Sequence, residues 1–248
     1  MDTRLATAFS HHFELVHAGT DALRAEVFRL RYQVYVRETG FEAPAVAVPG
    51  LPAAHQVPDW EQDEYDSRSD FMLVRHRASG RYLATVRLVL PDPDDPMALF
   101  PMETHARLDR PVGGWRARQA LGEVSRFAIS RVLRHQLRAS LPADAGEVSE
   151  AAVMSHVIMG LYGGVMQLAH RHGITHCYSL IEPALMRLVM RLGVVCERIG
   201  PETSFRGRRV PCLTPLQPSI ERMRDLGEPL WALVSHQGAW AEHLYAHG

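Results

Sequence analysis

Four groups of residues in this chain have side chains able to do chemistry. The first is Arg24, Phe28, Arg31 and Tyr35, which share one stripe at helical spacing, with Glu38 beyond them. The second is the acidic run Asp63-Glu64-Tyr65-Asp66, and the third is Arg87 inside the apolar segment Thr85-Val86-Arg87-Leu88-Val89-Leu90. The fourth is Glu123-Val124-Ser125-Arg126-Phe127. A charge within an apolar strand is rarely buried unless paired, so Arg87 calls for a carboxylate, and the acidic run supplies one. Two readings stand: a structural ion pair, or a cation that holds a ligand. In the fourth group, strand alternation puts Glu123, Ser125 and Phe127 on one face and Val124 and Arg126 on the other. A half-buried carboxylate has a raised pKa and suits a general base for an amine. A rim glutamate paired with an arginine is the plainer alternative, and residue types alone do not choose.

Other chemistries find little support. His170, His172 and His176 lie at a helix end followed by a turn, which fixes no ligand geometry; they are expected to be solvated, and no metal site is expected. His156 reads as a hydrogen-bonded core residue. There is no Gly-x-Ser-x-Gly elbow and no Gly-rich phosphate loop of the dinucleotide or nucleoside-triphosphate type. The three cysteines, Cys177, Cys196 and Cys212, form neither a disulfide framework nor a zinc motif. A formal net charge of −1 disfavours nucleic acid as a partner. Residues 1–24 show no secretory signal, and a cytoplasmic location is expected. The tail Leu230–Val234 with Trp240 and Tyr245 lacks the basic face of a membrane-surface helix, so membrane contact is not indicated.

The elements that must position these residues follow from periodicity and breakers. A strand is predicted over His12–His17, then a helix capped by Thr20 or Asp21, with Leu23, Val27, Leu30 and Val34 on its apolar stripe and Gly40 past its end. Residues 43–58, rich in Ala and Pro, read as an irregular loop, either a spacer or an active-site lid. Phe71–His76 and Tyr82–Leu90 form a hairpin around Gly80, and a further strand covers Ala120–Ile129. A buried helix spans Glu150–His172 and stops at Gly173; its uncharged stretch Ala151–Ala169 holds polar residues and three glycines, and Gly160 and Gly164 suit close approach to a sheet. A strand at His176–Leu180, a helix from Pro183 to Leu192, a hairpin of Val194–Ile199 with Val210–Leu213, and a helical tail over about 218–248 complete the order. That order implies an α/β protein, a mixed sheet with helices on both faces, in a single domain over residues 1–248.

The run Phe28-Arg-Leu-Arg-Tyr-Gln-Val-Tyr-Val-Arg-Glu-Thr-Gly-Phe-Glu42, then Asp63–Asp66, then Gly80 with Thr85-Val-Arg-Leu88, then Glu123–Phe127, resembles the acyl-homoserine-lactone synthases and the N-acyl amino acid synthases. It is most similar to the branch known as PEP-CTERM/exosortase-system-associated acyltransferases. The resemblance covers about residues 13–130 by motif and the rest by element order. It implies a GCN5-related N-acetyltransferase-like fold, a mixed, splayed sheet whose opening receives a pantetheine arm. It also implies transfer of a fatty acyl group from acyl carrier protein (acyl-ACP) or coenzyme A (acyl-CoA) to a small amine, with no tightly bound cofactor. On this reading Glu123 and Ser125 are catalytic, while Arg24, Phe28, Arg31, Asp63, Asp66 and Arg87 bind the acceptor. Arg126, Phe127, Arg131, Arg134 and Arg138 meet the donor or its carrier, the last three standing where acetyltransferases have a pyrophosphate-binding Gly-rich loop. An amino acid is the expected acceptor. A lactone synthase using S-adenosylmethionine is the alternative, and a non-catalytic acyl-carrier or lipid-binding module is the rival from another class.

Overall fold

The computed structural model describes residues 9–43, 59–95, 97–133, 135 and 150–246. The expected loop 43–58, apart from its first residue, lies outside the described residues, as do Arg134 and Arg138. Strand β1 (Phe13–His17) leads into helix α1 (Asp21–Tyr32), which Thr20 caps by accepting from Leu23 N at 3.3 Å. Val27, Leu30 and Val34 are buried along its inner stripe, with Leu23 packed against them. At Gln33 the helix widens into a π-helical turn ending at Glu38, with Thr39 N–H donating to Val34 O at 3.0 Å. Such turns concentrate at functional sites.

The expected hairpin is β2 (Ser69–His76) and β3 (Tyr82–Val89), with Gly80 at φ +68 in its turn. Two short helices follow, α2 (Pro101–His105) and α3 (Trp115–Gln119), then β4 (Leu121–Ile129) and α4 (Glu150–His172). After these come β5 (His176–Ile181), α5 (Pro183–Arg191), β6 (Glu197–Arg198), β7 (Thr203–Ser204) and β8 (Arg208–Pro215). The helices α6 (Leu216–Leu226), α7 (Glu228–Ser235) and α8 (Glu242–Tyr245) close the chain.

The strands form an open mixed sheet in the order β1-β2-β3-β4-β5-β8-β6, with β7 also paired to β8, and β4–β5 is its parallel pair. Helix α1 covers β2–β4 on one face, and α4 packs on β1–β3 on the other. The mixed α/β sheet with helices on both faces is therefore as expected. No helix among the described residues is long and apolar enough to cross a membrane.

Two expectations need correction. At Gly164 an added Cβ would sit 3.0 Å from the Met72 side chain, so α4 does press on the sheet there. At Gly160 it would fall 2.2 Å from the Phe9 ring, so that glycine makes room for the N-terminal turn, not for the sheet. The last hairpin is much shorter than predicted, with only Glu197↔Leu213 and Arg198↔Cys212 paired between β6 and β8. Val194 turns into the core, and Val195 N donates to Ser219 Oγ at 3.0 Å instead of to a ladder. The five-residue helices α2 and α3 were not anticipated, because so short a segment shows no resolvable period.

Candidate active site

β4 and β5 pair through Leu121↔His176, Gly122↔Cys177 and Glu123↔Tyr178. Past that point β4 stays with β3 while β5 stays with β8, so the sheet splays. A cavity of about 580 Å³ occupies the opening, lined by Val124–Phe127 from one strand and Ser179–Ile181 from the other. One part of its wall is charged: Asp63, Glu64, Arg87, Glu123, Arg126 and Arg206. Another part is apolar and includes Met154, Ile158, Val165, Leu185 and Val189. Met154, Ile158, Tyr162 and Val165 recur at helical spacing on α4, so one face of that helix forms the apolar wall.

A β-bulge sets the chemistry of β4. Thr85 pairs with Ala128 and Arg87 with Ser125, so three steps on β4 oppose two on β3. Arg126 takes up the extra residue at φ +48. Beyond the bulge the faces exchange: Phe127 packs into the core on the α4 side, whereas Ala128 joins the α1 side. The alternation expected for this strand therefore fails at Arg126 and Phe127. Arg126 turns toward Glu61 and toward Asp63, which Arg87 also meets, and Phe127 leaves the face of Glu123 and Ser125.

Those carboxylates form a lattice with the arginines. Arg31 Nε donates to Glu61 Oε2 at 2.5 Å and Arg31 Nη1 to Asp66 Oδ1 at 2.7 Å. Arg87 Nη1 reaches the same Asp66 oxygen at 2.7 Å and also Asp63 Oδ1, while its Nε donates to Ser125 Oγ at 3.0 Å. Arg126 Nη2 lies 2.9 Å from Glu61 Oε1 and 2.7 Å from Asp63 Oδ2. Arg206, from the turn between β7 and β8, closes on Glu42. A backbone device shapes the acidic corner: Asp63 Oδ1 accepts from Tyr65 N at 3.0 Å, and Asp66 Oδ2 accepts from Asp63 N at 2.8 Å, a reciprocal cap. Burial alone would raise the Glu61 and Asp63 carboxyls, but the arginines outweigh it and hold both below the usual range.

Glu123 lies outside this lattice. It is 2% exposed, and its Oε2 accepts from Met102 N at 2.7 Å. Burial pushes its carboxyl up to about 8, against the pull of that N–H and of Arg87. The Met102 amide is held in turn by a bidentate pair, Arg118 to Glu103 at 2.8 Å on both arms, with Glu103 Oε2 also accepting from Phe100 N at 2.8 Å. A carboxyl that titrates near neutrality in the wall of a cavity can take a proton from an attacking nucleophile.

Of the residues singled out from sequence, Asp63, Arg87, Glu123, Ser125, Arg126 and Phe127 line the cavity. Arg31 and Asp66 stand behind that wall, fully or almost fully buried, and hold Arg87 and Glu61 in place. Phe28 and Arg24 do not line the cavity and both pack on Phe71, Phe28 edge-on to its ring and Arg24 over it at 5.8 Å. Arg131 is tied to the end of the π-helical turn, its N–H donating to Glu38 Oε2 at 2.8 Å. His172 is not simply solvated, since it and His17 bracket Asp70 at 2.9 and 2.7 Å.

The comparisons agree with this architecture. Residues 30–141 match the family model for the acetyltransferase (GNAT) domain. TofI, solved in a ternary complex with an inhibitor and MTA, is 20% identical over 89% of this chain and 99% of its own, with a TM-score of 0.58. BjaI, a CoA-dependent acyl-homoserine lactone synthase solved with SAM and isopentyl-CoA, is 16% identical over 91% of this chain and 99% of its own, TM-score 0.55. The AHL synthase LasI is 18% identical over 82% and 89%, TM-score 0.52. Comparison with curated proteins finds no match. Over residues 30–141 the chain is similar to an acetyltransferase (GNAT) domain, and the protein is an acyltransferase.

In this acyltransferase several site residues escaped the sequence reading. Glu61 answers two arginines, yet it stands two residues before the acidic run and was not counted with it. His105 lines the cavity and stacks on Phe205 at 3.9 Å; burial, then Arg206 and Arg126, lower its pKa. Arg206 and Met102 carry no local signal, because a turn cation and a backbone amide become functional only through what the fold sets beside them.

Proposed function

We propose that the protein is an N-acyltransferase that moves a long fatty acyl group from an acyl-carrier-protein or coenzyme A thioester to the amine of an amino acid or similar small acceptor. The observation that carries this reading is the single cavity that joins a charged wall holding Glu123 to an apolar wall on α4. The thioester carbonyl lies in the splay, the pantetheine amides bond to the parted strand edges, and the chain runs along Met154, Ile158 and Val165. The acceptor ammonium meets Asp63 and Glu64, and its carboxylate meets Arg126 and Arg206, so both signs of a zwitterion find a partner. Glu123 takes a proton from the ammonium. The amine then attacks the carbonyl carbon, the C–S bond breaks, and the thiol leaves with a proton. Ser125 and Arg87 steady this wall of the site, and Arg31 and Asp66 position Arg87 from behind.

Arg131, with Arg134 and Arg138 following it, is suited to an acidic carrier or a phosphopantetheine phosphate. Placement in the exosortase-associated branch rests on the four motifs alone. The lactone-forming alternative needs a slot for a nucleoside, and the stacked His105–Phe205 pair on the cavity wall is the feature that favours it. Against it stands the composition of residues 43–58, which offer no acidic side chain for ribose hydroxyls beyond Glu42 before them. The test supplies long-chain acyl carrier protein with either a mixture of amino acids or S-adenosylmethionine. N-acyl amino acids are the expected product. Methylthioadenosine together with an acyl lactone, and no N-acyl amino acid, would overturn the choice of acceptor.

A further inference from the structure

Ser125 stands where the sheet parts. The last residue of β4 paired to β5 is Glu123, opposite Tyr178, so Ser125 follows just past the root of the splay. It precedes the bulge at Arg126, and alternation therefore keeps it on the face of Glu123. It is half-buried and lines the cavity.

The neighbour of its hydroxyl decides which way the proton points. Arg87, directly opposite on β3, donates from Nε to Ser125 Oγ at 3.0 Å. A guanidinium has no lone pair to offer, so the oxygen is the acceptor in that contact and its own hydrogen turns elsewhere. Among the described residues no carbonyl or carboxylate accepts from it. Arg87 cannot swing away, because its side chain is fully buried and Nη1 is held by Asp63 and, at 2.7 Å, by Asp66 Oδ1. The cavity wall beside Glu123 thus presents an O–H with a fixed cation behind it. Such a group suits a point where negative charge develops.

We propose that Ser125 is a catalytic residue whose O–H donates to the thioester carbonyl oxygen as that oxygen becomes negative, with Arg87 as the positioning residue behind it. This rests on the reading of the cavity as the site of acyl transfer. Once Glu123 has taken a proton from the acceptor ammonium, the amine nitrogen bonds to the carbonyl carbon. The C=O electron pair moves onto oxygen, where Ser125 meets it while keeping its own proton. The pair then returns, the C–S bond breaks, and the surplus proton on nitrogen passes to the departing thiolate. An O–H bonds an oxyanion more strongly than a neutral carbonyl, so the contact favours the transition state over the bound donor.

The experiment measures transfer from a long-chain acyl-pantetheine to a mixture of amino acids by wild type, Ser125→Ala and Ser125→Thr across the pH range. Calorimetry with the unreactive amide analogue of the donor reads ground-state binding. Ser125→Ala should lower kcat by roughly 10²–10³-fold, while KM and binding of the amide analogue stay close to wild type. Burial raises the Glu123 carboxyl and Arg87 is among the groups that pull it back, so a displaced Arg87 would move the pH–rate profile. The profile should keep its midpoint. Ser125→Thr, which retains the hydroxyl, should recover most of the lost rate. Should Ser125→Ala fail to fold, Ser125→Cys carries the same comparison with a weaker donor. A kcat for the variant within a few-fold of wild type would overturn the inference and leave the acyltransferase reading intact. So would a shifted profile with a lowered Tm and weaker binding of the amide analogue, which would assign Ser125 to the support of Arg87 alone. If wild type neither binds the amide analogue nor acylates any amine, the reading of the cavity fails, and the role of Ser125 with it.

Discussion

Glu123→Gln should lower activity and raise stability at alkaline pH, and the two effects have one cause. The carboxyl ionises near pH 8 in the folded protein, against an ordinary value of 4.5. As a base it works only when ionised, so wild-type turnover should climb about ten-fold per pH unit toward neutrality and level off above about 8. Gln cannot take the proton, and turnover should fall by roughly two to four orders of magnitude. Its amide oxygen can still accept from Met102 N, so the local geometry survives. The stability argument runs with the opposite sign. Because the folded pKa is raised, the native state holds the proton more tightly than the unfolded chain; this contribution is fully present below about 4.5 and is lost as pH rises through about 8. One pKa unit corresponds to about 1.4 kcal/mol, so wild type loses on the order of 5 kcal/mol relative to the Gln variant across that window. Glu123 is 2% exposed, so little solvent screening reduces the figure. Urea denaturation of both proteins from pH 5 to 9 measures the difference, and titrations elsewhere in the molecule cancel. A difference in stability that does not change with pH, or turnover unaffected by the substitution, would refute the reasoning.

Arg118→Met should leave Glu103 unpaired beside Glu123 and move the pH–rate profile to higher pH, with Arg118→Met/Glu103→Gln moving it back; an unmoved profile would remove the clamp from the site. Asp66→Asn removes the negative charge shared by two buried guanidiniums and turns an NH2 toward either them or the Asp63 N–H; loss of a buried charge partner of this kind costs about 3–5 kcal/mol, readable by urea denaturation at pH 7. Ile158→Trp should shift the preferred donor to chains shorter by several carbons, since each buried methylene contributes about 0.8 kcal/mol; competition between acyl thioesters of different length measures it.

The parts of this protein governed by local physics were legible in the residues. Thr20 caps the first helix because a hydroxyl before an apolar period satisfies a free N–H, and Gly173 ends the long one because it accepts φ +65 without strain. The length of α4, the β2–β3 hairpin and the mixed sheet follow from period and breakers in the same way. Arg87 among apolar residues correctly demanded a buried carboxylate, and Asp63 and Asp66 supply it. Other features depend on where distant segments come to rest. Alternation along β4 is a rule for an unbroken strand, and it gave way at Arg126 because a bulge against β3 inserts a residue, reversing every side chain beyond it. Glu61 and Arg206 became partners of the site through tertiary contacts that no spacing encodes. The raised pKa of Glu123 comes from burial beneath α2, a helix too short to leave a periodic trace. Residue types determined which groups could do chemistry. Only the fold, by setting dielectric, register and neighbours, decided which of them face the cavity and in what charge state.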